Sequence, residues 1–396
     1  MTIIAEIGTA HNGSIEKAYE LIDAACQAGA DMIKFQWVYA DEILHPETGF
    51  VTLPGGKIRL YDRFKTLEVP QDFFAKCLEY THKNNMLFAC SPFGLRSLRE
   101  LVEIKPDAIK IASPEVNHIP LLKQTAEYYG KIPIILSSGV SKLGDIEKAV
   151  DLLEGDRASN TPIKVYGDEE LAPLTLLHCI TFYPAPETEY NVRCVDTLHR
   201  VFGIPAGISD HSLDPILIPV LSTAMGGTMI EKHITLSRKT DGLDDPVALE
   251  TDQFAQMVHA VHQTQAVIGR YTKDDIASGR PEHSALDEII RQMSNEYGKE
   301  KVIAALGNGV KRLAKSELAN YGRTNRSLHF MQDMKKGQKI TQQDIAVLRT
   351  EKVLTPGIAP DYYETVVGAV LNQDIKAGDG VQWEHILRNN SVGNNL

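Results

Sequence analysis

Cysteine, positive charge and long apolar runs are all scarce in this chain of 396 residues. Its five cysteines, Cys26, Cys77, Cys90, Cys179 and Cys194, are scattered without CxxC spacing, which excludes a disulfide framework and predicts reduced thiols in a cytoplasmic protein. No eighteen apolar residues stand together, and the opening MTIIAEIGTAHNG has a Glu in its first apolar run and no basic leader. Neither a membrane span nor a secretory signal is expected. Lys and Arg total 41 against 52 Asp and Glu, a net charge of -11 with no basic cluster, which excludes a nucleic-acid partner. A glycine-rich phosphate loop after the first apolar run is missing too, which counts against a nucleotide-binding sheet.

What the chain does have is alternation. Eight short apolar runs (TIIAEIG, DMIKFQ, MLFACSPF, AIKIAS, IPIILSSG, LTLLHCI, PAGISDH and TMIEKHI) are separated by amphipathic stretches as far as about residue 270. In IEKAYELIDAACQAGA the apolar positions recur at three and four residues, and Gly29 supplies a stop. Eight strands alternating with helices predict an α/β fold, a closed (β/α)8 TIM barrel over residues 1–272; an open doubly wound sheet shares the local pattern. Residues 273–321 are charged and helix-prone, a helical linker or insertion. Over residues 322–396 the pattern changes, and MKKGQKITQQDI (334–345) matches IKAGDGVQWEHI (375–386) at an offset of 41, which predicts a small pseudo-repeated β-rich domain.

Alternate residues of a strand face opposite sides, so the polar residues of the runs sort by parity. Glu6 falls opposite Ile3, Ala5 and Ile7; Lys34 and Gln36 opposite Ile33 and Phe35; Lys110 opposite Ile109 and Ile111. Ser209 and His211 share a face, as do Glu231 and His233. The apolar faces suit the helices, which leaves the charges inside the barrel near the strand ends where such barrels carry their sites. Buried there, they must meet one another, a metal or a ligand. His211 and His233, ending neighbouring strands with Asp210 and Glu231 beside them, are positioned to share a divalent cation; hydrogen-bonded structural histidines are the alternative. Lys34 and Lys110, with Ser91, Ser113, Ser137 and Ser209, offer an anion two cations and several short donors; the alternative is an ion network with Glu6 and Glu115. Those two glutamates are also candidates for general acid or base. Tyr183 lies near a bend, and His178 is expected in the core.

The ordered motifs IAEIGTAHNGS, AGADMIKFQ, SPF, IKIASPE, ILSSG, LLHCITFYP, GISDHS and IEKHI, through residues 3–234, resemble the strand ends of the sialic acid synthase family, the phosphoenolpyruvate-condensing synthases of nonulosonic acids. The tail, with NRSLHF and the repeat, is similar to the antifreeze-like (SAF) domain of those enzymes. The resemblance implies a condensation of phosphoenolpyruvate with an N-acylamino sugar aldehyde and water, with Mn2+ or Mg2+ on His211 and His233 polarising the aldehyde. It places phosphoenolpyruvate on Lys34, Ser91, Lys110, Ser113, Ser137 and Ser209, and the sugar on Gln36, Glu115, Thr181, Tyr183 and Asp244. It makes Arg326 an arginine donated by the partner of a domain-swapped homodimer, and Glu6 the acidic residue of the first strand. The chain departs from the family at Gly56 and Thr181, where sialic acid synthases carry Asn, at GLDDP where they carry GPDH, at NRS where they carry RRS, and at Pro114 where they have Gly. These changes preserve the reaction type and leave the sugar open, with pseudaminic or legionaminic relatives as alternatives. A non-catalytic carbohydrate-binding homologue and a Schiff-base aldolase using Lys34 or Lys110 are the competing readings.

Overall fold

A computed structural model describes residues 1–53, 56–159, 161–240, 242–271, 284–351 and 353–387. All eight apolar runs become parallel strands: β1 (Thr2–Gly8), β2 (Met32–Trp37), β3 (Leu87–Pro92), β4 (Ala108–Ile111), β5 (Ile134–Ser137), β6 (Leu174–Cys179), β7 (Ala206–Asp210) and β8 (Met229–Thr235). They pair in chain order, and β1 pairs with β8 to close the barrel. Eight helices follow the strands as α1 (Ile15–Gln27), α2 (Gln71–Lys83), α3 (Leu95–Glu103), α4 (Ile119–Thr125), α5 (Leu143–Glu154), α6 (Cys194–Phe202), α7 (Leu217–Ala224) and α8 (Thr251–Ile268). The first shows why the sequence folds so locally: Ser14 caps it by accepting from the Lys17 N–H at 3.1 Å, and Gly29 just beyond its end adopts φ +88°, which a Cβ would oppose.

Parity divides the barrel into an oil layer outside and a graded interior. Ile3, Ile33, Phe35, Phe88, Ile109, Ile208 and Ile230 face outward into one large core shared with the helices. Inside, a separate apolar layer of Ile4, Met32, Leu87, Ala89, Ala108, Ile135, Leu177 and Met229 forms the floor. Two residues further along each strand the interior turns polar: Glu6, Lys34, Ser91, Lys110, Ser137, Ser209 and Glu231. The floor therefore seats the charged layer at the C-terminal ends of the strands.

Beyond the barrel, α9 (Ala285–Tyr297) and α10 (Lys299–Leu306) bury Ile289, Met293, Val302, Ala305 and Leu306 in the barrel's own outer core. The expected boundary at 272–273 lies outside the described residues. The last domain has a core of its own, with Leu328, Phe330, Ile345, Leu371 and Val381, around the antiparallel strands β9 (Arg326–Phe330) and β10 (Ile345–Arg349). Its repeat is a pseudo-twofold: Met334 pairs with Ile375, its own equivalent 41 residues on. Lys335 meets Asp374 at 2.8 Å and Lys376 meets Asp333 at 2.9 Å, the same contact twice. Gly337 and Gly378, also equivalent, both adopt φ +88° at the turn.

Candidate active site

The polar layer converges on a small cavity at the barrel's C-terminal mouth, with about 50 Å3 of free volume. Register sets who meets whom. Glu6 lies between Lys34 on β2 and His233 on β8, and Ser209 lies beside Glu231. Lys34 Nζ is 2.6 Å from Glu6 Oε2, and Gln36 Nε2 donates to Glu6 Oε1 at 2.7 Å. Glu231 Oε1 takes Lys110 Nζ at 3.3 Å and Ser209 Oγ at 3.0 Å, with Lys34 Nζ 3.9 Å away. Burial disfavours every one of these charges, and their mutual contacts decide the outcome. The two lysines and Ser209 overcome it at Glu231 and hold that carboxylate down at about 2. Glu231 and Glu6 overcome it at Lys34, which is raised, whereas at Lys110 burial prevails and the amine is pushed down.

The network is not fully satisfied from within. Ser91 Oγ, Ser137 Oγ, Thr181 Oγ1 and Glu231 Oε2 are buried without a hydrogen-bond partner. An unmet buried hydroxyl costs about 1–3 kcal/mol, so a cluster of them beside two ammonium groups marks a place for a polar ligand. The ion-network alternative is realised in part: Lys34 and Lys110 pair with glutamates, but with Glu6 and Glu231 rather than Glu115.

The two histidines stand above this layer with ring centroids 5.7 Å apart. His211 Nδ1 is 2.7 Å from the Ile180 carbonyl oxygen, which assigns that nitrogen the proton and turns Nε2 toward Tyr183 Oη at 3.2 Å. Tyr183, 45% exposed, stacks on His211 at 4.2 Å and forms the lip of the cavity. Burial pushes the His233 imidazole down, toward the neutral form a metal requires. At His211 burial acts in the same direction but is outweighed by Cys179 and the Ile180 carbonyl, which hold the ring up at about 9; a cation at Nε2 would compete with that proton. Two imidazoles with open positions between them fit a divalent cation completed by water or substrate oxygens. Among the described residues no group of three or more His, Cys, Asp or Glu gathers into a fuller cage.

Eleven of the expected residues line the cavity: Glu6, Lys34, Gln36, Lys110, Ser113, Ser137, Thr181, Tyr183, Ser209, His211 and His233. Ser91 lies on the same inner face beside Gln36. Asp244 stands behind His233, its Oδ2 3.9 Å from Nδ1. Gly56 opens a short strand, Gly56–Arg59, paired with Phe50–Leu53. His178, on the outer face, meets the Tyr190 carbonyl oxygen at 2.6 Å.

Three expected residues meet other partners within this chain. Asp210, expected beside the histidines, points out of the barrel and binds Lys232 at 2.5 Å, because it has the opposite parity to His211. Glu115 is fully buried against the last domain instead of the cavity: its carboxylate accepts from Arg326 at 2.6 Å and from Arg349 at 3.0 Å. Arg326 was expected on a neighbouring barrel. In the structure it is seated within its own chain, its remaining donors on the carbonyls of Glu42 at 2.5 Å, Phe93 at 2.8 Å and Val347 at 3.1 Å. Two polar cavity residues carry no expected role, beside the apolar Ala112 and Pro114. Glu231 was legible by parity but read only as a metal neighbour; Cys179 carried no signal beyond an inward position.

Comparison with known proteins agrees with this architecture. The chain is 28% identical to the N,N'-diacetyllegionaminic acid synthase of Legionella pneumophila, over 97% of this chain and 94% of that one. It is 28% identical to a pseudaminic acid synthase of Campylobacter jejuni, over 96% and 95%. The crystal structure of the spore coat polysaccharide biosynthesis protein SpsE from Bacillus subtilis superposes with a TM-score of 0.75 at 27% identity, covering 98% of this chain and 95% of that one. The SAF domain model matches residues 325–387, the described part of the pseudo-twofold domain. Since the NeuB family model matches residues 21–273, most of the chain and the whole of the strand-end polar layer from Lys34 onward, the chain belongs to the NeuB family.

Proposed function

We propose that the chain condenses phosphoenolpyruvate with an open-chain N-acylamino sugar aldehyde and water to give a nonulosonic acid and phosphate. The observation that carries this is the pair of buried lysines beside unpartnered Ser91 and Ser137 hydroxyls, beneath two imidazoles at the mouth of the barrel. Lys34, Lys110 and the serines offer the phosphate and carboxylate of phosphoenolpyruvate charge-assisted donors in a site shielded from water. C3 of phosphoenolpyruvate forms a bond to the aldehyde carbon, and the aldehyde oxygen takes up a proton to become a hydroxyl. Water then adds at C2 and loses a proton, and the C2–O bond to phosphate breaks as the new C2 hydroxyl gives its proton to the departing phosphate, which leaves a ketone and inorganic phosphate. When bound at His211 and His233, a divalent cation, Mn2+ or Mg2+, supplies Lewis acidity to the aldehyde oxygen.

The residues divide the proton work. Glu231 is held as an anion by both lysines, and Glu115 is committed to two arginines. Glu6, between Gln36 and Lys34 and next to His233, is left to take the proton from the adding water. Tyr183, at the lip, orients the sugar. Thr181 and Gly56, in place of the family's asparagines, favour a modified or deoxygenated acceptor of the legionaminic or pseudaminic type over N-acetylmannosamine, and relatives with those two activities match nearly the full chain. The five cysteines are all free, in keeping with a cytoplasmic enzyme. We include a homodimer in the proposal, with each chain seating its own Arg326.

Phosphate release from phosphoenolpyruvate with Mn2+ and a panel of N-acylated aldoses tests the reading. Release that depends on one acceptor, most strongly a deoxygenated one, is expected. Release from no acceptor overturns the reaction, and a marked preference for N-acetylmannosamine overturns the acceptor. The low-lying amine of Lys110 favours a Schiff base as the second reading; borohydride trapping with pyruvate separates the two.

A further inference from the structure

The segment that follows α10 runs back across the barrel mouth, and there it bonds the backbone of the loops after β5 and β6. Glu317, 1% exposed, accepts from the Val140 N–H at 2.7 Å and the Thr181 N–H at 2.8 Å, both on Oε1. Its Oε2 accepts from the Ala314 N–H at 3.0 Å. Lys311 Nζ donates to the Ser138 carbonyl at 2.8 Å, Asn320 Nδ2 to the Thr181 carbonyl at 3.3 Å, and Asn325 Nδ2 to the Val140 carbonyl at 3.1 Å. Four side chains of one strap thus satisfy five backbone groups of the loops after β5 and β6. Those loops flank the cavity through Ser137, Thr181 and Tyr183.

Val140 shows that the strap imposes a conformation. Its φ is +41°, a region β-branched residues avoid, and its side chain is fully buried. Glu317 holds its N–H and Asn325 its carbonyl, so the strained turn is fixed from both sides by the strap. The two loops also touch: a Cβ at Gly139 would overlap Thr181 Oγ1, and the Gly139 N–H donates to Ser113 Oγ at 2.9 Å. A shift of either loop therefore moves Ser113 and Thr181, both cavity residues.

We infer that Glu317 is a positioning residue, whose carboxylate ties the loops after β5 and β6 into one unit and so sets the sugar end of the cavity at Thr181 and Tyr183. The kinetic half of this rests on the condensation proposed above; the structural half does not. A displaced loop leaves the charges of Lys34 and Lys110 in place but misaligns the acceptor, so the effect falls mainly on kcat and on the KM of the sugar.

The experiment compares wild type, Glu317→Ala and Glu317→Gln in full-length protein, by phosphate release and by amide hydrogen exchange at Val140 and Thr181. Glutamine keeps an acceptor for both loop N–H groups. In Glu317→Ala, exchange at both amides should quicken by about tenfold or more, as expected for loss of a buried acceptor. Its kcat should fall by about ten- to a hundredfold, with the KM for phosphoenolpyruvate changed much less than that for the sugar. Glu317→Gln should stay within about threefold of wild type on both measures, because the shared acceptor survives. If Glu317→Ala folds and exchanges like wild type at Val140 and Thr181, the inference is overturned. If exchange quickens but kcat and both KM values are unchanged in an active enzyme, the strap is structural and positions nothing. An inactive wild type would sink the condensation reading alone, with exchange still deciding whether Glu317 holds the loops. Should Glu317→Ala fail to fold, Asn325→Ala replaces it, with quickened exchange and a lower kcat again expected; wild-type values for both overturn the inference.

Discussion

His211 shows how much a single side chain's role depends on its second contact. The Ile180 carbonyl takes one ring nitrogen and leaves the other toward Tyr183 Oη at the cavity, the arrangement that keeps a metal-binding imidazole in one tautomer. His233 contributes a ring whose charge burial opposes. Loss of either imidazole should lower turnover by at least about a hundredfold, because the remaining one cannot hold a cation alone. Chelation should do the same to the wild-type protein, with Mn2+ or Mg2+ restoring it. Full activity in His211→Ala or His233→Ala, read by phosphate release, would remove the metal from the mechanism. Parity made both histidines legible. It could not have shown that Glu231 would bind both lysines, since that depends on which strands lie across the barrel from one another.

Among the elements, β7 and β8 leave no room between them for a side chain at Gly207. Gly207 lies on the inner face, and a Cβ there would overlap the Met229 carbonyl oxygen, a backbone atom that cannot rotate away. Gly207→Ala should therefore destabilise the protein by about 2–3 kcal/mol, the upper part of the usual cost of an overpacked core, by parting the strands that carry Ser209 and Glu231. Chemical denaturation measures this, and a loss below about 0.5 kcal/mol, typical of neutral surface changes, would show that the strands can yield. The strands themselves were legible because each run alternates a residue for the helices with a residue for the interior. The helices after residue 284 were legible as helices only; their place in the barrel's outer core follows from Ile289, Met293 and Val302 meeting a surface that local sequence does not specify.

For the molecule as a whole, the strap and Arg326 join the two domains within one chain. Asn325 is bonded to Val140, and the next residue, Arg326, reaches Glu115. Mixing His233→Ala with Arg326→Ala chains should then give no gain over the two variants measured separately, since every site keeps one lesion. Recovery to about a quarter of wild-type activity after verified exchange would mean that the arginine crosses between subunits. A second global property is acid lability. Burial pushes His11 and His329 down to about 4 and His178 to about 3, so these rings stay neutral in the folded state while the unfolded chain protonates them near 6.5. The unfolded state binds more protons between those values, so stability is fully present above about pH 6.5 and falls as the pH drops toward 4. Each of His11 and His329 contributes up to about 3 kcal/mol to that loss. Denaturation midpoints between pH 7 and 4.5 should fall in wild type and less steeply in His11→Asn; a flat profile would contradict the burial of these rings.

By itself the sequence determined the barrel, its eight strands, the inward set of Glu6, Lys34, Lys110, Ser209, His211 and His233, and the repeated turn at Gly337 and Gly378, because strand parity and local backbone demands act over a few residues. Only the tertiary structure decided that Glu115 belongs to a domain contact, that Asp210 serves Lys232, and that Glu317 reaches Val140 across 177 positions of chain. Those outcomes turn on which distant surfaces meet once the barrel closes. A buried carboxylate accepts whichever donors arrive there, and nothing in its neighbouring sequence records which they will be.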